Sequence, residues 1–125
     1  RIGRGLLVLI GVEMKDSGKE AEFLLDKIIN LRIFEDNLSR MNLSLLDIGG
    51  DLMLVSQFTL LADTRKGRRP SFVNAGDHEK SREVFENFAK MAKERIRNVQ
   101  TGWFGESMKV ELVNDGPVTI VMERN

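Results

Sequence analysis

Apolar positions recur along this chain in two rhythms. From Leu6 to Val12 they run almost unbroken behind a glycine, the pattern of a strand buried on both faces. After Asp16-Ser17-Gly18 the spacing changes. Ala21, Leu24, Leu25, Ile28 and Ile29 recur at helical intervals, with Asp26 and Lys27 between them, so they share one helix face. Ser17 with Glu20 supplies the capping pair that opens this helix, and the pattern predicts its end between Asn30 and Arg32. Ile33-Phe34 reads as extended, Glu35-Asp36-Asn37 as a turn, and Ser44 to Ile48 as a strand. Gly49-Gly50-Asp51 then predicts a hairpin turn into a second strand, Leu52 to Leu60.

Asp63 to Asp77 is polar and basic, with Gly67, Pro70 and Gly76. A loop of that length inside a domain is usually functional or mobile. Asp77 caps a second helix whose apolar stripe is Val84, Phe85, Phe88, Met91, Ala92 and Ile96. Val99 to Trp103 predicts a short strand, with Trp103 assigned to the core. Met108 to Val113 alternates and Val118 to Met122 is again apolar, so a hairpin is expected around Asn114-Asp115-Gly116-Pro117. The sum is one α+β domain over residues 1–125, with a β-barrel-like sheet core and two amphipathic helices.

Composition narrows the function classes. No apolar run approaches the ~20 residues that span a membrane. Cysteine is absent, so disulfides play no part and a cytoplasmic home is the default. With His78 the only histidine, a zinc site is not expected. The net charge is zero, so bulk electrostatics point to no polyanion. Arg65, Lys66, Arg68 and Arg69 nevertheless cluster beside Gly67, which fits contact with the phosphates of a nucleic acid as well as a solvated loop.

Two polar segments follow apolar runs and carry the candidate chemistry. In Ser56-Gln57-Phe58-Thr59, a hydroxyl could act as nucleophile or position water, and the N–H groups of Phe58 and Thr59 could hold an oxyanion. The plainer reading is a strand end facing water. Nothing marks His78 as the base of a Ser-His-Asp arrangement. Gly116-Pro117 reads as a turn, or as a rigid dipeptide whose bare backbone presses on a ligand. Trp103 and Phe104 could stack on a base or fill the core.

Taken together, these segments resemble the bacterial and eukaryotic D-aminoacyl-tRNA deacylases. The likeness runs through Gly5-Leu6-Leu7-Val8-Leu9-Ile10-Gly11-Val12, Leu31-Arg32-Ile33-Phe34, Met41-Asn42-Leu43-Ser44, Val55-Ser56-Gln57-Phe58-Thr59-Leu60, Ala62-Asp63-Thr64, Arg69-Pro70-Ser71-Phe72 and Val113-Asn114-Asp115-Gly116-Pro117-Val118. The resemblance implies a homodimer that hydrolyses the ester of D-aminoacyl-tRNA and of mischarged glycyl-tRNA, without a cofactor, and spares L-aminoacyl-tRNA. It implies that Ser56, Gln57, Phe58 and Thr59 line the catalytic pocket. Asn114 and Asp115 would hold a cis Gly116-Pro117 motif that enters the partner's pocket and excludes an L side chain. Phe104 and Met108 would border the pocket, and Arg65, Lys66, Arg68 and Arg69 would face the tRNA acceptor end. Relatives of this kind begin with two further strands, so the family's N-terminal hairpin is expected to be missing and a sheet edge exposed. The alternatives are a non-catalytic RNA-binding module and an inactive truncated dimeric scaffold.

Overall fold

The computed structural model describes residues 1–124. The first strand, β1 (Gly5–Ile10), leads into helix α1 (Gly18–Asn30). Ser17 and Glu20 form the expected capping box, Ser17 N–H donating to the Glu20 carboxylate at 2.8 Å. That bond lowers the Glu20 pKa, after the larger effect of the Ser17 hydroxyl. A short hairpin follows, β2 (Phe34–Glu35) against β3 (Met41–Leu43). Its turn is closed by Asp36, whose carboxylate accepts from the N–H groups of Leu38 and Arg40.

Residues 44–48 correct the predicted strand. They form a one-turn helix, α2 (Leu45–Ile48), opened by Ser44 and ended by Gly49 in the left-handed conformation. Ser44 Oγ accepts from Asp47 N–H at 3.0 Å, and the Asp47 carboxylate accepts from Ser44 N–H at 2.9 Å. This reciprocal cap satisfies the orphan donors of so short a helix. The predicted hairpin at residues 49–51 is therefore absent. The next strand, β4 (Asp51–Ser56), pairs in parallel with β1, Gly5 opposite Asp51 and Ile10 opposite Ser56.

Helix α3 (His78–Arg95), capped by Asp77, returns the chain to β5 (Val99–Thr101), which runs parallel to β4. The sheet order is β1-β4-β5. Parallel neighbours need a crossover, and helices supply it here. Leu25 and Ile29 of α1, Leu45 of α2, Leu52 and Leu54 of β4, and Phe85, Phe88 and Ala92 of α3 form one buried cluster. Each fully buried leucine contributes about 1.5–3 kcal/mol. Leu6, Val8 and Ile10 pack against this cluster, but Leu9 on the other face of β1 is exposed. The strand is thus covered on one face and not on both.

Three further expectations are not met. Among the described residues the sheet is open, with no closed barrel. Residues 108–122 form no strand, because alternation makes a strand only where a partner ladder exists. Trp103 is 77% exposed and lies outside the core. No helix among the described residues is long and apolar enough to cross a membrane.

Candidate active site

The chain changes character at the end of β4. Gln57 still donates its N–H to Ile10 O at 2.8 Å, but with φ −142° and ψ 82° it turns out of the sheet. Phe58–Leu61 then make one turn of 3-10 helix, where the sequence predicted continued strand to Leu60. The leading N–H groups of a helix have no intrahelical acceptor, and no side chain caps this turn. The Phe58 and Thr59 N–H groups thus stand at the carboxyl end of a parallel strand, where open α/β sheets bind ligands. Gln57 Nε2 donates to Thr59 Oγ1 at 2.5 Å. The Thr59 hydroxyl is engaged by an amide, not by a base.

His78 lies at the start of α3, its Nε2 3.2 Å from Arg82 Nη2. Its ring meets Phe104 at 5.0 Å. Phe104 also meets Phe85 at 6.0 Å and the Arg82 guanidinium at 5.7 Å, so it belongs to the α3 surface. A groove of about 710 Å³ runs there, lined by Arg82, Phe85, Lys90, Lys93, Trp103 and Phe104 among others. None of residues 56–59 lines it. Met108 is closer to the end of β4. A Cβ built on Gly102 would lie 2.6 Å from Met108 Sδ and 3.6 Å from a Val55 methyl, so Met108 lies over Gly102 near the end of β4.

The 114–119 turn is braced from within. Asn114 Oδ1 accepts from Val118 N–H at 2.9 Å, and Asn114 Nδ2 donates to Thr119 Oγ1 at 3.0 Å. Between them the Gly116-Pro117 peptide is cis, and Gly116 has φ 144°. Asp115, Gly116 and Pro117 are exposed. Among the described residues no hydrogen bond or ring contact joins this turn to residues 56–59 of the same chain.

The basic loop has a closed base. Asp63 and Ser71 exchange backbone hydrogen bonds at 2.7 and 2.9 Å, and the Asp63 carboxylate accepts from Arg65 N–H, Nε and Nη2 at 3.0, 2.9 and 2.7 Å. Those hydrogen bonds from Arg65, the side chain's first, hold the Asp63 pKa down to about 2. Lys66, Arg68 and Arg69 form no ion pair among the described residues. Next to Ser71, the Phe72 ring meets Phe58 edge-on at 5.1 Å. The sequence reading missed Asp63 and Phe72; the available signal was an Asp two residues before Arg65, the spacing of a side chain that closes its own turn.

This combination, a parallel sheet ending in uncapped N–H groups beside a basic loop, defines a class of site suited to an oxyanion and a polyanionic substrate. The model of the family described as D-Tyr-tRNA(Tyr) deacylase matches residues 1–123. The chain is similar to the D-aminoacyl-tRNA deacylase of Kosmotoga olearia, 56% identical over 98% of this chain and 82% of that protein. It is similar also to the D-aminoacyl-tRNA deacylase of Clostridioides difficile, 54% identical over 98% and 83%. A solved structure of a c-Myc DNA unwinding element binding protein superposes with a TM-score of 0.92 at 38% identity, covering 99% of this chain and 85% of that one. The chain belongs to the D-Tyr-tRNA(Tyr) deacylase family and is an enzyme, a D-aminoacyl-tRNA deacylase.

Proposed function

We propose that this enzyme, in the cytoplasm, hydrolyses the ester joining a D-amino acid to the terminal adenosine of tRNA, clears mischarged glycyl-tRNA, and spares L-aminoacyl-tRNA. The observation that carries this reading is the match to the deacylase family along residues 1–123, in a chain whose β4 ends in an uncapped turn. Water adds to the ester carbonyl carbon and charge gathers on the carbonyl oxygen. The N–H groups of Phe58 and Thr59 hold that oxyanion. The bond to the ribose oxygen then breaks, and that oxygen takes the proton the water has lost. Free D-amino acid and tRNA leave. The adjacent 2′-hydroxyl of the substrate relays the proton, so no side-chain base is required. Ser56 and Gln57 shape the pocket floor, with Gln57 holding Thr59.

Selectivity in this reading comes from a second copy. Its Gly116-Pro117 turn enters the pocket and presents backbone to the substrate Cα, where an L side chain would clash while a D side chain or glycine is accommodated. The exposed turn, braced by Asn114 and unattached to its own site, supports a homodimer of this kind, as do the unpaired apolar residues of 108–122. Asp115 flanks the turn. Met108 borders the approach to the pocket, Phe104 lines the separate groove on α3, and Lys66, Arg68 and Arg69 meet acceptor-end phosphates.

Deacylation of D-tyrosyl-tRNA against L-tyrosyl-tRNA tests the proposal. Only the D ester should be cleaved, a terminal 2′-deoxyadenosine should slow the reaction severely, and Thr59→Ala should keep substantial turnover. Equal cleavage of both esters would sink the wall. Total loss in Thr59→Ala, with folding and tRNA affinity intact, would make its hydroxyl the nucleophile. The DNA-binding description of the 38%-identical structure favours a second reading, nucleic-acid binding without cleavage, which salt-sensitive affinity with no ester hydrolysis would support.

A further inference from the structure

We infer that Asp63 is a positioning residue: it ties Arg65 down as a clip across the base of the basic loop, so that Lys66, Arg68 and Arg69 alone meet RNA phosphates while the loop holds Phe72 against Phe58. The inference rests on the tRNA reading of the loop given above.

In the sequence Arg65 is grouped with its basic neighbours. Its guanidinium grips both carboxylate oxygens of Asp63, with Nε to Oδ1 at 2.9 Å and Nη2 to Oδ2 at 2.7 Å. The Arg65 N–H adds a third bond to the same carboxylate. Fork-on-carboxylate geometry is the strong, oriented form of an ion pair. The Asp63 side chain keeps 26% of its surface and the Arg65 side chain 85%, so the carboxylate belongs to the loop base and the guanidinium reaches back to it. Moving Arg65 onto a phosphate would leave the Asp63 carboxylate facing that phosphate unneutralised, and like charges at such range repel. The backbone of Asp63 is meanwhile paired to Ser71, and the next residue, Phe72, lies on Phe58. One residue thus serves both features: the Asp63 carboxylate sets the charge the loop offers, and the Asp63 backbone holds the strand that carries a ring beside the candidate oxyanion donors. Arg65 keeps the Asp63 pKa near 2, below its ordinary value. The clip is therefore complete above about pH 4 and is lost only as pH falls through about 2.

The test measures uncharged tRNA affinity against salt for the full chain, for Arg68→Gln and Asp63→Asn, and for Arg65→Gln combined with Asp63→Asn. Each lost phosphate contact lowers the slope of log affinity on log salt by about 0.7–0.9. Arg68→Gln should lower it by that amount, and Arg65→Gln combined with Asp63→Asn, which keeps the loop's charge balance, should leave it unchanged. Asp63→Asn should raise it by about one contact, because Arg65 is released. A mere loss of folded protein would not steepen the slope. If that double variant flattens the slope as much as Arg68→Gln, the clip is wrong. Should the unmodified chain show no salt-dependent tRNA affinity, the tRNA reading fails instead. Hydrogen exchange at the Arg65 amide, which donates to the Asp63 carboxylate, then decides the clip: faster exchange in Asp63→Asn upholds it, and unchanged exchange overturns it.

Discussion

At Gly116 a single hydrogen separates a workable turn from an obstructed one. With φ 144° this residue occupies backbone space that side chains disfavour, and an added Cβ would meet Val118 Cγ2 at 2.9 Å and Val118 N at 3.1 Å. Gly116→Ala must therefore move the backbone that the proposal presses against substrate. The expected outcome is a large loss of D-ester turnover together with weakened D/L discrimination, with the urea midpoint changed little because the turn is exposed. Unaltered discrimination in that variant would mean the wall lies elsewhere. Thr59 makes the complementary point: Gln57 Nε2 donates to its hydroxyl, which in the proposed mechanism orients and does not attack.

Among the elements, α2 shows how a helix of four residues survives. Ser44 is buried, and its hydroxyl accepts from Asp47 N–H. Ser44→Ala should cost about 0.5–2 kcal/mol, read as a fall in the urea midpoint with unchanged slope. An unshifted midpoint would show that burial of Leu45 alone fixes the turn. The two long helices were legible because each has a cap, Ser17 or Asp77, followed by apolar residues at helical intervals. The α2 segment was not, since its few residues fit a strand as well as one helical turn, and its cap closes with Asp47 in place of the usual Glu or Gln. The 3-10 turn after Gln57 was hidden for a similar reason: Phe58, Thr59 and Leu60 all suit a strand. At the candidate site, Ser56 to Thr59 and the basic loop could be found from residue type and position. The Phe72–Phe58 contact could not, because it depends on how the Asp63–Ser71 bridge closes the loop.

The molecule as a whole is divided between a covered face, where α1 and α3 bury Leu52 and Leu54, and a run of apolar side chains left in the open. Val113 is 91% exposed and Val121 83%, which is unusual for two valines in extended chain. A second copy is the occupant the proposal assigns, so sedimentation should give twice the chain mass, and Val113→Asp should give monomers that no longer cleave D-tyrosyl-tRNA. Fully active monomers would remove the second copy from the mechanism. The same run has a further property. It is fastened at both ends: Met108 lies beside Gly102 and Val55, and the Arg124 guanidinium lies 4.2 Å over the Phe23 ring of α1. Ordering a free backbone costs about 1–2 kcal/mol per residue, but a segment held at two points has already given up much of that freedom. It is a loop tied at both ends and not a free tail, so the second copy of the proposal would meet a segment whose ends are already placed.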